Sequence, residues 1–155
     1  MSRFRIYAIA FAVFFLPTLP LSAQEAPPQP FDPEKYVGDY QKLDQPHSQA
    51  IDWVYLNLNI PEGYRLLPNF NQRLRIFTPD EAFSWTFRIT NEKSMVPLFT
   101  LLNADRLMAE VKLFYCVSGN NALCVTSRVM YEIPLVDTGT AEDLILVYIL
   151  PGLSR

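Results

Sequence analysis

The chain has 155 residues, of which half are apolar and 14% are aromatic, and its formal net charge is −3. A chain of this size and composition can bury about two-thirds of its unfolded surface around one core, so a single domain is expected. The acidic balance excludes nucleic acid as an expected partner, because binding it needs a clustered positive face and the basic residues are scattered singly along the sequence.

Residues 1–23 have the layout of a secretory signal peptide. Arg3 and Arg5 precede an apolar stretch from Ile6 to Leu16, and the small-residue site Leu21-Ser22-Ala23 follows it. The stretch has eleven residues, fewer than the ~20 that are needed to span a bilayer. We therefore expect cleavage and export, with the periplasm as the compartment and no membrane span in the mature chain.

Residues 24–49 form a proline-rich and polar lead-in. The four prolines between positions 24 and 33 are incompatible with a helix or a sheet interior, so this part is predicted to be an extended tether. Residues 34–49 stay polar and are expected to cross the domain surface, with order beginning near Ile51. The folded domain is therefore predicted to span residues 50–155.

Alternation of apolar and polar residues predicts β-strands in this domain. The clearest example is 51–60, where Val54, Leu56 and Leu58 share one face, and Pro61-Glu62-Gly63 then makes a turn. Further strands are predicted at 64–67, 73–78, 83–89, 95–102, 110–116, 123–135 and 143–150, and a helical turn at 103–108. The strands at 64–67 and 73–78 are expected to form a pair.

Several of these strands have features that predict their position in a sheet. Phe83, Trp85 and Phe87 alternate with polar residues, so this aromatic face is expected to turn inward. Pro97 cannot donate a hydrogen bond, which favours an edge strand or a bulge. The uninterrupted apolar run at 143–150 predicts a buried strand. Short strands separated by frequent turns predict an all-β fold, an antiparallel β-sandwich.

The two cysteines, Cys116 and Cys124, lie on the two strands of a predicted hairpin, which has its turn at 118–121. Folding the strands back places position 116 opposite 124, near enough for a disulfide. One interpretation is a structural bridge, since closing a loop of about nine residues is worth roughly 2.6 kcal/mol in the chain-entropy description. The other is a redox-active pair, because an exposed bridge at a hairpin tip is open to attack by a thiolate.

Three segments carry a resemblance to a known family: Leu-Asn-Leu-Asn-Ile-Pro-Glu-Gly-Tyr-Arg-Leu at 56–66, Val-Lys-Leu-Phe-Tyr-Cys at 111–116 with Cys124, and Tyr-Glu-Ile-Pro-Leu at 131–135. Together they resemble the N-terminal periplasmic domain of the thiol:disulfide interchange protein DsbD and related domains of NHL-repeat and thioredoxin-like proteins. The resemblance covers roughly residues 50–150.

This resemblance implies an immunoglobulin-like sandwich in which Cys116 and Cys124 act as catalytic residues. In the family, the pair takes electrons from a transmembrane partner and passes them to thioredoxin-fold proteins, while an aromatic residue, here Phe70, caps the pair. The cysteine spacing is longer here, and the transmembrane and thioredoxin-like segments have no counterpart in these 155 residues. We expect a periplasmic thiol:disulfide interchange domain whose partner is a thioredoxin-fold or membrane redox protein.

The alternative function is an exported accessory or protein-binding domain without catalysis, in which the same bridge holds a hairpin together. Asp137-Thr138-Gly139 is similar to the active-site turn of retroviral-type aspartic proteases, but only sixteen residues follow it, so a turn between strands is expected. His47, the only histidine, is predicted to be a solvated loop residue. The sequence contains no motif for a cofactor or a metal ion, and neither is expected.

Overall fold

A computed structural model describes residues 31–67, 70–117 and 123–151 of the chain. The described residues form one short 3₁₀ helix, Pro33–Lys35, and ten β-strands. The strands are β1 Asp39–Lys42, β2 His47–Ser48, β3 Ala50–Asn59, β4 Tyr64–Leu66, β5 Arg73–Phe77, β6 Ser84–Arg88, β7 Lys93–Leu101, β8 Arg106–Val117, β9 Cys124–Val136 and β10 Glu142–Ile149. In these ranges no helix is long and apolar enough to cross a membrane. The predicted signal peptide and the tether up to residue 30 lie outside them.

The strands form two sheets. The large sheet has seven strands in the order β1-β9-β8-β5-β6, with β2 alongside β9 and β4 alongside β8. The small sheet has the order β10-β3-β7. The predicted all-β sandwich is confirmed, but the prediction that it is antiparallel is wrong in part, because both sheets are mixed. β1 and β2 run parallel to β9, and β10 runs parallel to β3, because these partners are far apart in the chain and no hairpin dictates their direction.

One core fills the space between the two sheets. Its side chains alternate along the strands with exposed ones, as period-two patterning requires. Two tyrosines of the large sheet reach across this core and end in hydrogen bonds. The hydroxyl of Tyr131 donates to the carbonyl oxygen of Val147 at 3.0 Å, and that of Tyr115 donates to the carbonyl oxygen of Pro151 at 3.3 Å. These bonds satisfy polar groups that would otherwise be buried without a partner.

The lead-in is more ordered than the sequence predicts. Asp32 caps the 3₁₀ helix by accepting a hydrogen bond from the amide of Glu34. β1 and β2 then pair with β9 before β3 begins at Ala50. Phe31 and Tyr36 pack on a second apolar cluster, formed by Phe77, Met108 and Met130 on the outer face of the large sheet. The lead-in therefore covers part of this face.

Three local predictions are wrong. The helical turn at 103–108 is absent, because Leu107 and Ala109 alternate into the core and β8 begins at Arg106. β4 and β5 do not pair with each other, since both lie along the same side of β8. The apolar run of β10 is buried on one face only, and its other face is solvent-exposed.

The predicted edge position of Pro97 is confirmed, because β7 lies at an edge of the small sheet and its pairing with β3 is irregular there. The inward aromatic face of β6 is confirmed in part. Phe83 and Phe87 pack against the core, whereas Trp85 is half exposed because β6 is also an edge strand. Edge strands receive cover from one side only, so their large side chains remain partly in solvent.

Candidate functional site

The hairpin of β8 and β9 holds the candidate site at its tip. The two strands stay in register from Arg106 opposite Pro134 to Cys116 opposite Cys124. Cys116 and Cys124 form a disulfide with their Cα atoms 4.0 Å apart. The predicted opposition of the two cysteines is therefore confirmed, while the predicted turn at 118–121 lies outside the described residues.

The two cysteines differ in their exposure to solvent. Cys116 is only 1% exposed, whereas Cys124 is exposed. Both lie on the outer face of the large sheet, because the core side chains Tyr115 and Leu113 alternate with Cys116 along β8. Cys124 is therefore the member of the pair that solvent reaches.

Arg65 lies on the other side of Cys116. β4 pairs with β8 so that Arg65 is directly opposite Cys116, and its side chain is exposed. Cβ atoms of directly opposite residues are about 5 Å apart. A cation at this position favours the thiolate form of a reduced cysteine, because it stabilises the negative charge. Sequence reasoning did not identify Arg65, since only the strand pairing brings it to the cysteine.

Phe70 packs on Phe114, which lies two positions before Cys116. Its ring lies 5.2 Å from the ring of Phe114, measured between centroids, and Phe114 precedes Cys116 by two positions on the same face of β8. The segment that carries Phe70 is fixed to β8 by a hydrogen bond from the amide of Leu67 to the carbonyl oxygen of Phe114. The Gln72 side chain donates to the carbonyl oxygen of Leu67 at 2.7 Å. Phe70 is 48% exposed, so its ring partly covers this surface and partly faces solvent.

A row of basic residues crosses the same face. Register places Arg128 of β9 opposite Lys112 of β8, Lys112 opposite Arg73 of β5, and Arg73 opposite Arg88 of β6. The expectation that the basic residues are scattered is wrong for this face, because strand pairing brings together residues that are isolated along the chain. Part of the row can be predicted from the hairpin register, since placing 116 opposite 124 also places Lys112 opposite Arg128.

Further from the tip, two buried carboxylates are bound by tyrosines of the lead-in. The Tyr36 hydroxyl donates to Glu110 at 3.5 Å, and the Tyr40 hydroxyl donates to Glu132. The bond from Tyr40 holds the pKa of Glu132 below its usual value, and Lys42, 3.1 Å away, acts in the same direction. Burial, together with the Glu132 carboxylate, raises the pKa of Tyr40 to about 12. These groups stabilise the attachment of the lead-in and lie far from the disulfide.

Two other features of the sequence, Asp137-Thr138-Gly139 and His47, have structural roles. Gly139 has a φ of +69° and donates its amide hydrogen bond to the Asp137 side chain at 3.0 Å, so Asp137-Thr138-Gly139 forms the expected turn between β9 and β10. The prediction for His47 is wrong. It lies in β2, where its Nδ1 is 2.8 Å from the Glu142 carboxylate, because β2 runs beside the start of β10.

Comparison of the chain with protein-family models and with curated proteins finds no match. Within the described ranges, no three His, Cys, Asp or Glu side chains come together in an arrangement that could hold a metal ion. The site is therefore defined by its own geometry, which consists of a disulfide with one exposed cysteine, a flanking arginine, an aromatic pair and a basic row.

Proposed function

We propose that this protein is an exported thiol:disulfide interchange domain, in which Cys116 and Cys124 exchange electrons with a thioredoxin-fold or membrane redox protein of the periplasm. The observation that carries the proposal is the unequal exposure of the two cysteines. A bridge that only holds a hairpin together needs no accessible sulfur, whereas exchange requires that one sulfur can be attacked.

The exchange takes place in two steps. A partner thiolate attacks the Sγ atom of Cys124, a mixed disulfide forms, and the bond to Cys116 breaks so that Cys116 leaves as a thiolate. A second partner thiolate then attacks the partner's own sulfur in the mixed disulfide, which releases Cys124 as a thiolate and leaves the partner oxidised. The partner loses two electrons and the Cys116–Cys124 pair gains them, while both cysteines take up protons from solvent according to their pKa values.

Two neighbouring side chains support this chemistry. Arg65, opposite Cys116, stabilises the leaving thiolate and so makes Cys116 a better leaving group. Phe70, whose ring packs at a tilt on that of Phe114, is the proposed cap, which limits access along β8 to the pair until a partner displaces its ring. The resemblance of 56–66, 111–116 and 131–135 to the DsbD N-terminal domain, from which the roles of Cys116, Cys124 and Phe70 are taken, also supports the proposal.

The decisive experiment is a measurement of the reduction potential of the pair. The oxidised protein is equilibrated with glutathione or dithiothreitol buffers of defined redox potential. The fraction of reduced protein is then measured by alkylation and mass spectrometry. We expect a potential above about −300 mV, in the range of thiol–disulfide exchangers. A value below about −300 mV would identify an inert structural bridge and overturn the proposal.

A second candidate function, protein binding without redox chemistry, is favoured by the outer face of the small sheet. Ile145, Val147 and Ile149 of β10 are 59%, 53% and 65% exposed, and Met95 and Phe99 of β7 are more than half exposed as well. Contiguous exposed apolar residues typically mark an interaction surface. A binding domain would use this face and keep the disulfide as a bridge.

A second copy of this chain is the occupant that fits this face. Asp143 and Lys93 lie at diagonally opposite corners of it, so a twofold axis can place Lys93 of one copy beside Asp143 of the other. Sedimentation velocity over a range of protein concentrations tests this idea. Association that Val147→Lys abolishes and the control Thr126→Lys preserves would support it, and a monomer at all concentrations would exclude it.

A further inference from the structure

The outer face of the large sheet is only partly covered by the rest of the chain. Phe31, Tyr36 and Tyr40 lie over the part that contains Phe77 and Met130. Beyond the basic row, towards the hairpin tip, this face carries the pair Phe114 and Thr126 and then the row of Arg65, Cys116 and Cys124. The disulfide and the basic row therefore belong to one open surface.

The basic row has one positively charged residue on each of four adjacent strands. Arg128, Lys112, Arg73 and Arg88 occupy neighbouring positions on four adjacent strands. Strands lie about 4.8 Å apart, so the row is roughly 14 Å wide. Arg65 adds a further cation beside the disulfide. A protein with a net negative charge thus presents a positive surface at its candidate site.

At the centre of this row, the charges of Lys112 and Arg128 are not neutralised by an ion pair within the described part of the chain. Arg73 has a weak ion pair with Glu110, at 3.7 Å. The ammonium group of Lys112 lies 5.3 Å from the centre of the Phe114 ring, which does not cancel its charge. Neither Lys112 nor Arg128 has a carboxylate within ion-pair distance among the described residues.

A partner that reaches the disulfide also covers this row. Lys112 and Cys116 are four residues apart on the same strand face, which corresponds to about 13 Å. A protein that buries a typical ~800 Å² per side spans a larger distance than this. Burying uncompensated cations is costly, so a partner that docks here needs negative charges opposite them.

We infer that the redox partner presents an acidic surface next to its reactive cysteine, and that the basic row of Arg128, Lys112, Arg73 and Arg88 attracts and orients that surface. This inference rests on the proposed exchange function and specifies one further property of the partner, the negative charge of its docking surface. Opposite charge raises the association rate and selects among thiols that are chemically alike. The structure therefore favours exchange with an acidic thioredoxin-fold protein over exchange with a basic one.

Three synthetic peptides test the inference. They are identical except that a single cysteine is flanked on both sides by aspartates, by asparagines or by lysines. The second-order rate constant for opening the Cys116–Cys124 bond is measured for each with the oxidised protein. Each rate is divided by the rate at which the same peptide opens bis(2-hydroxyethyl) disulfide, which corrects for the different thiol pKa values.

At low ionic strength we expect the aspartate peptide to react about tenfold faster than the lysine peptide after this correction. In 1 M salt the ratio should fall close to one, because charges at a surface are screened over about 3 Å there. Equal corrected rates at low salt would overturn the inference. Since this comparison uses the unaltered protein, it does not depend on whether any variant folds.

Two variants locate the effect. The double variant Lys112→Gln with Arg128→Gln removes two positive charges from the row, and Lys93→Glu on β7 changes the net charge of the protein by the same amount. The double variant should lose most of the tenfold preference, and Lys93→Glu should keep it. An equal loss in both would mean that net charge alone is responsible, which contradicts the inference.

The peptides also separate failure of this inference from failure of the proposed function. If all three open the protein disulfide at equal corrected rates, exchange stands and the acidic partner does not. If none opens it while all open the small disulfide, the pair is inert, and the proposed function fails together with the inference that rests on it.

Discussion

The two ends of the outer face of the large sheet differ in what they bury. At the end near the start of β8, Phe77, Met108 and Met130 are buried under the lead-in, and the carboxylates of Glu110 and Glu132 are bonded by tyrosines. At the hairpin tip, the same strands present a disulfide and a basic row to solvent. On the proposed function, the covered end contributes mainly to stability and the open end to reactivity, so that substitutions should separate the two properties.

Phe77→Ala should have the largest effect on stability. The Phe77 ring is buried against Met108 and Phe31, and removal of a buried phenylalanine ring typically costs about 3–5 kcal/mol. Urea unfolding measures this loss, and Phe99→Ala is the matched control, because Phe99 is largely exposed on the small sheet. The exchange rate of the folded variant should stay unchanged. A loss of less than 1 kcal/mol would show that the lead-in does not stabilise the domain.

Reduction of the disulfide should have the next largest effect. Opening the loop between Cys116 and Cys124 restores unfolded-state entropy worth roughly 2.6 kcal/mol. Guanidinium unfolding of the oxidised and the reduced protein measures the difference, and the double variant Cys116→Ala with Cys124→Ala serves as the reduced reference. The reduced domain should remain folded, since neither cysteine belongs to the core cluster between the two sheets. Unfolding on reduction alone would contradict the separation of the two ends.

Tyr40→Phe should cost about 1.5 kcal/mol, the value of a hydrogen bond to a charged group. The effect should depend on pH. Because the bond from Tyr40 lowers the pKa of Glu132 in the folded state, its stabilisation is present above the unfolded value of about 4.5 and is lost as the pH falls through the folded pKa.

Unfolding free energies between pH 2 and pH 7 measure this dependence for Tyr40→Phe and for the control Tyr55→Phe on the small sheet. The wild-type protein and the control should lose stability more steeply in acid than Tyr40→Phe. Parallel curves for all three proteins would show that Tyr40 does not control the charge of Glu132.

Phe70→Ala should have the smallest effect on stability and the clearest effect on exchange. Its ring is half exposed, so its removal should cost less than about 1 kcal/mol. The same change uncovers Phe114 and, on the proposed shielding role, opens the approach along β8 to the disulfide, so attack by a neutral thiol such as 2-mercaptoethanol should become several-fold faster. Stopped-flow measurements give this rate, with Phe99→Ala as the control. An unchanged rate would mean that Phe70 does not shield the pair.

The sequence was sufficient to predict the fold class and the hairpin that holds the site. The alternation along β3 and the position of Cys116 opposite Cys124 both follow from period-two patterning, which depends only on local residues. The sequence does not predict β1, because all of its residues are exposed and therefore show no apolar pattern. Backbone pairing with β9 holds this strand in place. For the same reason the sequence could not locate Arg65 or the whole basic row, since both depend on which strands are neighbours.

The pairing of β8 also fixes where the two described ends of the chain emerge. Phe31 packs near Met108, whereas the carbonyl of Pro151 is bonded to Tyr115, the residue next to Cys116. Met108 and Cys116 are separated by eight residues of one strand, or about 27 Å. A domain immobilised through residues upstream of Phe31 would thus hold its disulfide at the distal pole, whereas Pro151, which Tyr115 reaches through the core, lies across the sandwich from the face that carries the disulfide.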